Sequence, residues 1–350
     1  MRLSILYVGV DDGTCRQRSR ALEALGHHVE RVSSGPPPSF WPLQLYRVGN
    51  RLDRPPDLRG ANRAMLRAVD DRPFDVLWID KGREVRPGTL SKIRESKPGI
   101  AIVAYSPDDM MNPDNQCVQY LGGLGLYDLH VTTKSYNVQE LKELGARDVL
   151  FIDNAYDPET HRPVELDDDD LGRYGADVGF IGFIEPDRVE QLWRLAEAGI
   201  RVKVWGYAGR RLDPLPHPNF TFHGEFLGGL EYAKAICGTK INLGFLRKVN
   251  RDLQTTRSIE IPACEGFLLG ERTDEHSKLF VEGREAEFFD SFDELLEKSR
   301  YYLEHEEARD RVRKAGRRRC IEGGYSNQDR LSGVLSYVAE RYLSRGSGSE

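Results

Sequence analysis

Thr256-Arg257-Ser258-Ile259-Glu260-Ile261-Pro262-Ala263-Cys264-Glu265-Gly266-Phe267-Leu268-Leu269 is the stretch on which the reading of this chain turns. Polar residues lead into small and apolar ones, a glycine breaks the run, and an apolar strand follows. The pattern predicts a short helix docked by Ala263 and Gly266 on a buried parallel strand. Arg257 and Glu260 stand at the start of that helix. In open α/β sheets, ligands sit beyond the carboxyl ends of strands and beside helix N-termini. A guanidinium such as Arg257 suits a phosphate, which it binds through two parallel N–H bonds. A carboxylate such as Glu260 suits a ribose, because it accepts from both hydroxyls. Arg257 and Glu260 are also three apart, so a plain ion pair on one helix face is the structural alternative. Thr273 and Asp274 follow the strand, where backbone N–H groups meet a diphosphate.

Upstream, strands and helices alternate. Ala176–Ile184 reads as a strand, and Glu185 opens a helix running to about Ala198. Close approach of a phosphate needs a small residue, Gly182, and a cation at a helix start, Arg188. A surface arginine capping a neighbouring helix is the plain alternative for Arg188. Val202–Tyr207 is the next strand, and Gly206 and Tyr207 at its end are placed to bracket a base; simple packing is the alternative for Tyr207. Lys240–Phe245 is a further strand, and Arg247, Lys248 and Asp252 lie in the polar loop after it.

The first half repeats the pattern, with strands at Leu3–Gly9, Val29–Val32, Phe74–Asp80, Ile100–Tyr105, Leu126–Thr133 and Val149–Ile152. Such spacing argues for a parallel sheet. The loop after the first strand lacks GxGxxG and gives little support for a dinucleotide. Ser33–Pro56 shows no clear period and reads as a loop or short irregular helix. Asp108, Asp109 and Asp11 are candidate general bases at the strand ends, since adjacent carboxylates raise one another's pKa towards neutrality. An Asx turn or N-cap after Pro107 is the alternative for Asp108 and Asp109. His130, inside an apolar strand, reads as a core histidine. No metal site is expected; the run Asp167–Asp170 reads as a solvated turn.

The Arg257–Leu269 stretch, with Leu279-Phe280-Val281-Glu282-Gly283-Arg284-Glu285 after it, resembles the donor-binding signature of GT-B glycosyltransferases, most closely the CgeB-like (spore-maturation-type) branch. The resemblance implies an α/β, GT-B-like fold: two Rossmann-like domains with parallel sheets facing across a cleft. On that basis residues 1–155 form an acceptor domain, 156–175 a linker, 176–328 a nucleotide-sugar domain, 329–345 a terminal helix crossing back to the first domain, and 346–350 a flexible tail. It implies a UDP- or GDP-linked sugar as donor substrate, no cofactor, metal-independent transfer to a hydroxyl, and a glycan, protein, lipid-linked or modified-DNA acceptor. Gly182, Arg188, Gly206, Tyr207, Asp252, Arg257, Glu260, Thr273 and Asp274 then hold the donor. Many retaining relatives carry two glutamates eight positions apart; the second matches Glu260, and the first falls on Asp252, a shorter acid. Glu265 replaces the family's second glycine. The alternatives are a nucleotide-sugar 2-epimerase-like enzyme and a non-catalytic nucleotide-binding protein of the same fold.

The chain has 350 residues, room for two domains of ordinary size. A net charge of −6 argues against a general nucleic-acid binder. The five cysteines include no CxxC pair, which points to a reducing, cytoplasmic setting. No apolar run reaches the ~18 residues of a membrane helix. The basic stretch Ala308–Cys320 reads as a solvated helix face, with peripheral membrane contact as the alternative.

Overall fold

The computed structural model describes residues 1–37, 39–207 and 217–343. The expected tail at 346–350 lies outside them. The chain divides into two units, Met1–Asp153 with the chain from Asn327 onward, and Asn154–Ser326.

The first unit has six strands, β1 (Ser4–Gly9), β2 (His28–Ser33), β3 (Val76–Asp80), β4 (Ala101–Ser106), β5 (Leu129–Thr132) and β6 (Val149–Phe151). They form one parallel sheet in the order β2-β1-β3-β4-β5-β6. Its helices are α1 (Gly13–Ala24), α2 (Phe40–Arg51), α3 (Ala61–Asp71), α4 (Pro87–Ser96), α5 (Val118–Gly123) and α6 (Asn137–Glu143). The central strands are continuous apolar runs because both sheet faces are covered. Leu6, Leu77 and Ile102 pack beneath Met65 of α3 and Ile93 of α4. Ile5, Trp78 and Val103 face the other way, against Leu22 and the last helix.

The second unit holds α7 (Asp168–Tyr174), β7 (Ala176–Ile181), α8 (Pro186–Glu197), β8 (Val202–Trp205), β9 (Phe220–Phe222), α9 (Gly229–Gly238), β10 (Thr239–Gly244), α10 (Thr256–Ala263), β11 (Leu268–Glu271), α11 (Asp274–Leu279), β12 (Glu287–Phe289), α12 (Phe292–Glu304) and α13 (Glu306–Glu322). The sheet runs β12-β11-β10-β7-β8-β9, again all parallel. Ile236, Ile259 and Cys320 cover one face, and Leu192, Leu295 and Val312 the other. The α14 helix (Asn327–Val338) returns to the first unit, where Leu331, Val334, Leu335 and Val338 join the core beside Ile5 and Trp78.

Three expectations need correcting. The stretch 156–175 is no separate linker: Tyr156 and Tyr174 are buried in the second unit's core. The Asp167–Asp170 run is a helix start, where Asp167 caps α7 by accepting from the Asp170 N–H, and the acids that follow complement the helix dipole. The Ser33–Pro56 segment contains a regular helix, α2, after all.

The deciding stretch folds as read, with one departure. The Gly266 N–H donates to the Ile261 carbonyl and the Glu265 N–H to that of Pro262, closing α10 in a Schellman motif. Its left-handed position usually holds glycine but here holds Glu265, at φ 60°. Arg313 of α13 bonds the Glu265 carboxylate and steadies the strained residue. The basic α13 is thus only partly a solvated face: Arg313, Arg317 and Arg319 also donate to carbonyls at the ends of α10 and α11.

Candidate functional site

The strand order of the second unit reverses between β7 and β10, where an open parallel sheet leaves a crevice at its carboxyl edge. The exits of β7 and β8 are locked side by side, Gly182 N–H to the Trp205 carbonyl at 2.9 Å and Ile184 N–H to the Tyr207 carbonyl at 3.0 Å. A side chain on Gly206 would put its Cβ 1.9 Å from the Gly182 oxygen, and Gly206 has φ 137°; only glycine fits. A Cβ on Gly182 would lie 3.2 Å from Arg257 Nη1, so the guanidinium lies against this turn.

Arg188 and Arg257 meet around one aromatic ring. Their guanidinium carbons lie 5.6 and 5.8 Å from the centroid of Phe180. Arg188, near the start of α8, is 4% exposed. Its Nη1 donates to the Phe183 carbonyl at 2.7 Å. Its Nη2 lies 3.3 Å from Glu185 without a hydrogen bond among the described residues. Burial lowers the Arg188 pKa, and the nearby Arg257 and Arg247 charges add to that, against Glu185 and Glu271. Arg257 has no carboxylate partner among the described residues, and its buried Nε makes no hydrogen bond. Two like charges brought together with N–H groups unused are what a bound anion would satisfy.

The ion pair that the spacing of Arg257 and Glu260 allows does not form. Glu260 turns inward, 6% exposed, and accepts from the Tyr232 hydroxyl at 2.7 Å. His161 accepts the Asp157 N–H at Nδ1, so its proton sits on Nε2, 3.7 Å from the other Glu260 oxygen. Burial, then Glu260, pushes the Tyr232 pKa well above its ordinary value. At the head of α10, Ser258 accepts from the Thr255 N–H and its hydroxyl meets His276 Nε2. His276 Nδ1 must donate to the Glu271 carbonyl, so Ser258 donates to Nε2.

The remaining expected donor residues are more scattered. Thr273 caps α11: it accepts from the His276 N–H and donates to the Leu253 carbonyl at 2.6 Å. Asp274 is exposed on the first turn, as is Tyr207 beside Gly206. Arg247 and Lys248 reach Glu185 and Asp187 at 3.2 and 3.4 Å, tying their loop to the head of α8. Asp252 lines a cavity of about 780 Å³, and Arg188 a neighbouring one of about 240 Å³. Arg257 and Glu260 line neither, so of the arginine pair only Arg188 borders a cavity.

In the first unit, Asp108 is half-buried and forms an ion pair with Lys81. Asp109 takes the turn role: it is buried, and its Oδ1 accepts from the Met111 N–H and from Asn137, both at 2.9 Å. Asp11 is exposed, 3.9 Å from Arg16. His130 is a core histidine, with Nε2 donating to the Leu124 carbonyl and Nδ1 accepting from Tyr120.

Three participants escaped the sequence reading. His161 and Tyr232 reach Glu260 from far along the chain, and nothing local announces them. Glu271 lines both cavities and accepts from the Leu246 N–H, and burial raises its pKa. Its place at a strand end was the available signal. Among the described residues, no group of three or more His, Cys, Asp or Glu side chains gathers as a metal site.

Residues 188–336 match the family model described as "Glycosyl transferase-like". No curated protein matches the chain in sequence. Among solved structures, sucrose-phosphate synthase from Thermosynechococcus elongatus is similar at a TM-score of 0.64 and 12% identity, over 96% of this chain and 98% of that one. Anabaena Alr3699/HepE in complex with UDP gives a TM-score of 0.60 and 11% identity, over 96% and 100%. A putative UDP-N-acetylglucosamine 2-epimerase from Listeria monocytogenes gives 0.55 and 10%, over 100% and 98%. Two six-stranded parallel α/β units with these strand orders are the GT-B fold that these structures share, and the match to the glycosyltransferase-like family model lies in the second unit and runs on into α14.

Proposed function

We propose that the chain transfers a sugar from a nucleoside-diphosphate sugar, UDP- or GDP-linked, to an acceptor hydroxyl. The observation that carries this is the pair Arg188 and Arg257, half-satisfied at the carboxyl edge of β7 beside Gly182 and Gly206. When the anomeric bond breaks, charge builds on the departing diphosphate. Two fixed guanidiniums supply that stabilisation without a metal ion. Glu260 takes the ribose hydroxyls, held for it by Tyr232 and His161. The UDP complex of the HepE fold supports uridine as the first base to try.

Acceptor activation falls to the first unit. Asp108, paired with Lys81 at the ends of β4 and β3, is better placed as base than Asp109, whose oxygen serves the turn, or Asp11, in open solvent. The acceptor is a hydroxyl of a glycan, protein, lipid-linked intermediate or modified DNA. The free cysteines support a reducing, cytoplasmic setting. Among the described residues, no helix is long and apolar enough to cross a membrane.

A thermal-shift panel of UDP, GDP, dTDP, CMP, ADP and NAD tests the reading. One nucleoside diphosphate at about 100-fold its Kd should raise the midpoint by roughly 5 °C or more. The shift should shrink in Glu260→Gln. A shift with NAD alone, or with none, would overturn it. His161 beside Glu260 favours a second reading, a nucleotide-sugar 2-epimerase. Incubation with UDP-N-acetylglucosamine separates the two: the C2 epimer appears only under the second.

A further inference from the structure

α2 is amphipathic the wrong way round. At about 100° per residue, Trp41, Leu45, Val48 and Leu52 fall in one narrow arc. With Phe40 they are between 53% and 75% exposed, and the helix buries no residue. Its other side holds it to the unit: the Tyr46 hydroxyl lies 3.5 Å from Glu84, and Gly49 sits so tightly on Pro56 that a Cβ would come within 2.4 Å of it.

The charge on α2 itself is one-signed, with the exposed Asp53 just past its end. No Asp or Glu occurs between Arg31 and Asp53 in a chain of net charge −6. Arg47 and Arg51 flank the arc and Arg54 follows, all exposed and without a carboxylate partner among the described residues. The nearby Asp57 carboxylate is spent on the head of α3, accepting from the N–H groups of Ala61 and Asn62.

Size and charge together select the occupant. The exposed parts of these five side chains offer roughly 600 Å², short of the ~800 Å² per partner of a stable protein interface. A second copy would meet the same arginines. Indole and aliphatic groups rimmed by guanidiniums instead match the headgroup boundary of a bilayer, where the rings sit amphipathically and the arginines reach phosphates.

We propose that α2 docks the protein on an anionic lipid bilayer, lying in its surface with Trp41, Leu45, Val48 and Leu52 inserted. This face stands apart from the sugar-nucleotide reading and is tested without it.

The test is flotation of the full chain with vesicles of phosphatidylcholine alone and of an equimolar phosphatidylcholine–phosphatidylglycerol mixture. The chain floats with the mixture, and salt weakens the binding. Arg47→Gln and Arg51→Gln each cost about fivefold in partitioning. Leu45→Glu abolishes flotation while its melting point stays as in the parent, because the side chain points to solvent. Should Leu45→Glu fold poorly, Trp41 reports instead: a fluorescence blue shift on the mixed vesicles that disappears in Trp41→Phe supports insertion. No flotation with the mixture, or flotation that survives both Leu45→Glu and Trp41→Ala, overturns the proposal. So does a concentration-dependent dimer or a protein complex that Leu45→Glu dissolves, if the parent chain binds no vesicles.

Discussion

Each unit carries buried arginine at the point where its strand order reverses, and the two treat it in opposite ways. In the first unit, between β1 and β3, Arg18 of α1 grips Asp80 with Nε at 2.6 Å and Nη2 at 3.0 Å. Tyr7 donates to the same carboxylate, and the Tyr105 ring lies beneath the guanidinium. Burial works against the Arg18 charge, but Asp80 outweighs it and the pKa rises well above its ordinary value. In the second unit, between β7 and β10, burial moves the Arg188 pKa down: Glu185 at 3.3 Å does not outweigh it, and Arg257 adds a like charge. The first crevice is closed by its own ion pair. The second keeps guanidinium N–H groups unused, and the proposed anion site rests on that difference.

The largest effect expected from breaking this comparison is at Asp80. Asp80→Asn strands Arg18 in the core and should cost about 3–5 kcal/mol in urea unfolding, leaving nucleotide affinity unchanged. Loss of nucleotide binding with intact stability would reverse the roles assigned to the two crevices.

A second comparison uses one histidine from each unit. Burial lowers both His130 and His276 to about 4. Both are neutral in the fold, while the unfolded chain takes up their protons near pH 6.5. Stability is therefore intact above about pH 6.5, falls by about 1.4 kcal/mol per pH unit for each ring down to about pH 4, and levels off below. His276→Gln should flatten the profile by one ring's share. An unchanged slope would mean that His276 is protonated in the fold.

The smallest effect sharpens the contrast between the two ends of α10. Glu265→Gly removes the left-handed strain and should stabilise by about 0.5–1 kcal/mol, less a few tenths for the lost Arg313 contact. Nucleotide binding, at the other end, should not change.

The sheets were legible because parallel strands buried on both faces read as apolar runs: Leu3–Gly9, Ile100–Tyr105 and Lys240–Phe245 all became strands. β12 has only three residues, Glu287–Phe289, and carries no such run. α2 gave no core signal because its apolar arc has no core to face. The site was legible only where one stretch holds it. Gly182, Arg188 and Arg257 are brought together by strand exits that the sequence orders correctly. Local spacing allowed Glu260 an ion pair with Arg257, but Tyr232 and His161, distant in sequence, hold it instead. The same holds for Asp109, whose turn is completed by Asn137.

The most direct test of the account is Arg257→Ala, measured for stability without ligand and for affinity with the nucleoside diphosphate that shifts the parent protein. An arginine reserved for a ligand predicts unfolding within about 0.5 kcal/mol of the parent and affinity weaker by about 10–100-fold. A variant that unfolds several kcal/mol more easily and still binds the nucleotide as well as the parent would show that Arg257 is a structural arginine like Arg18, and the contrast between the two crevices would fail.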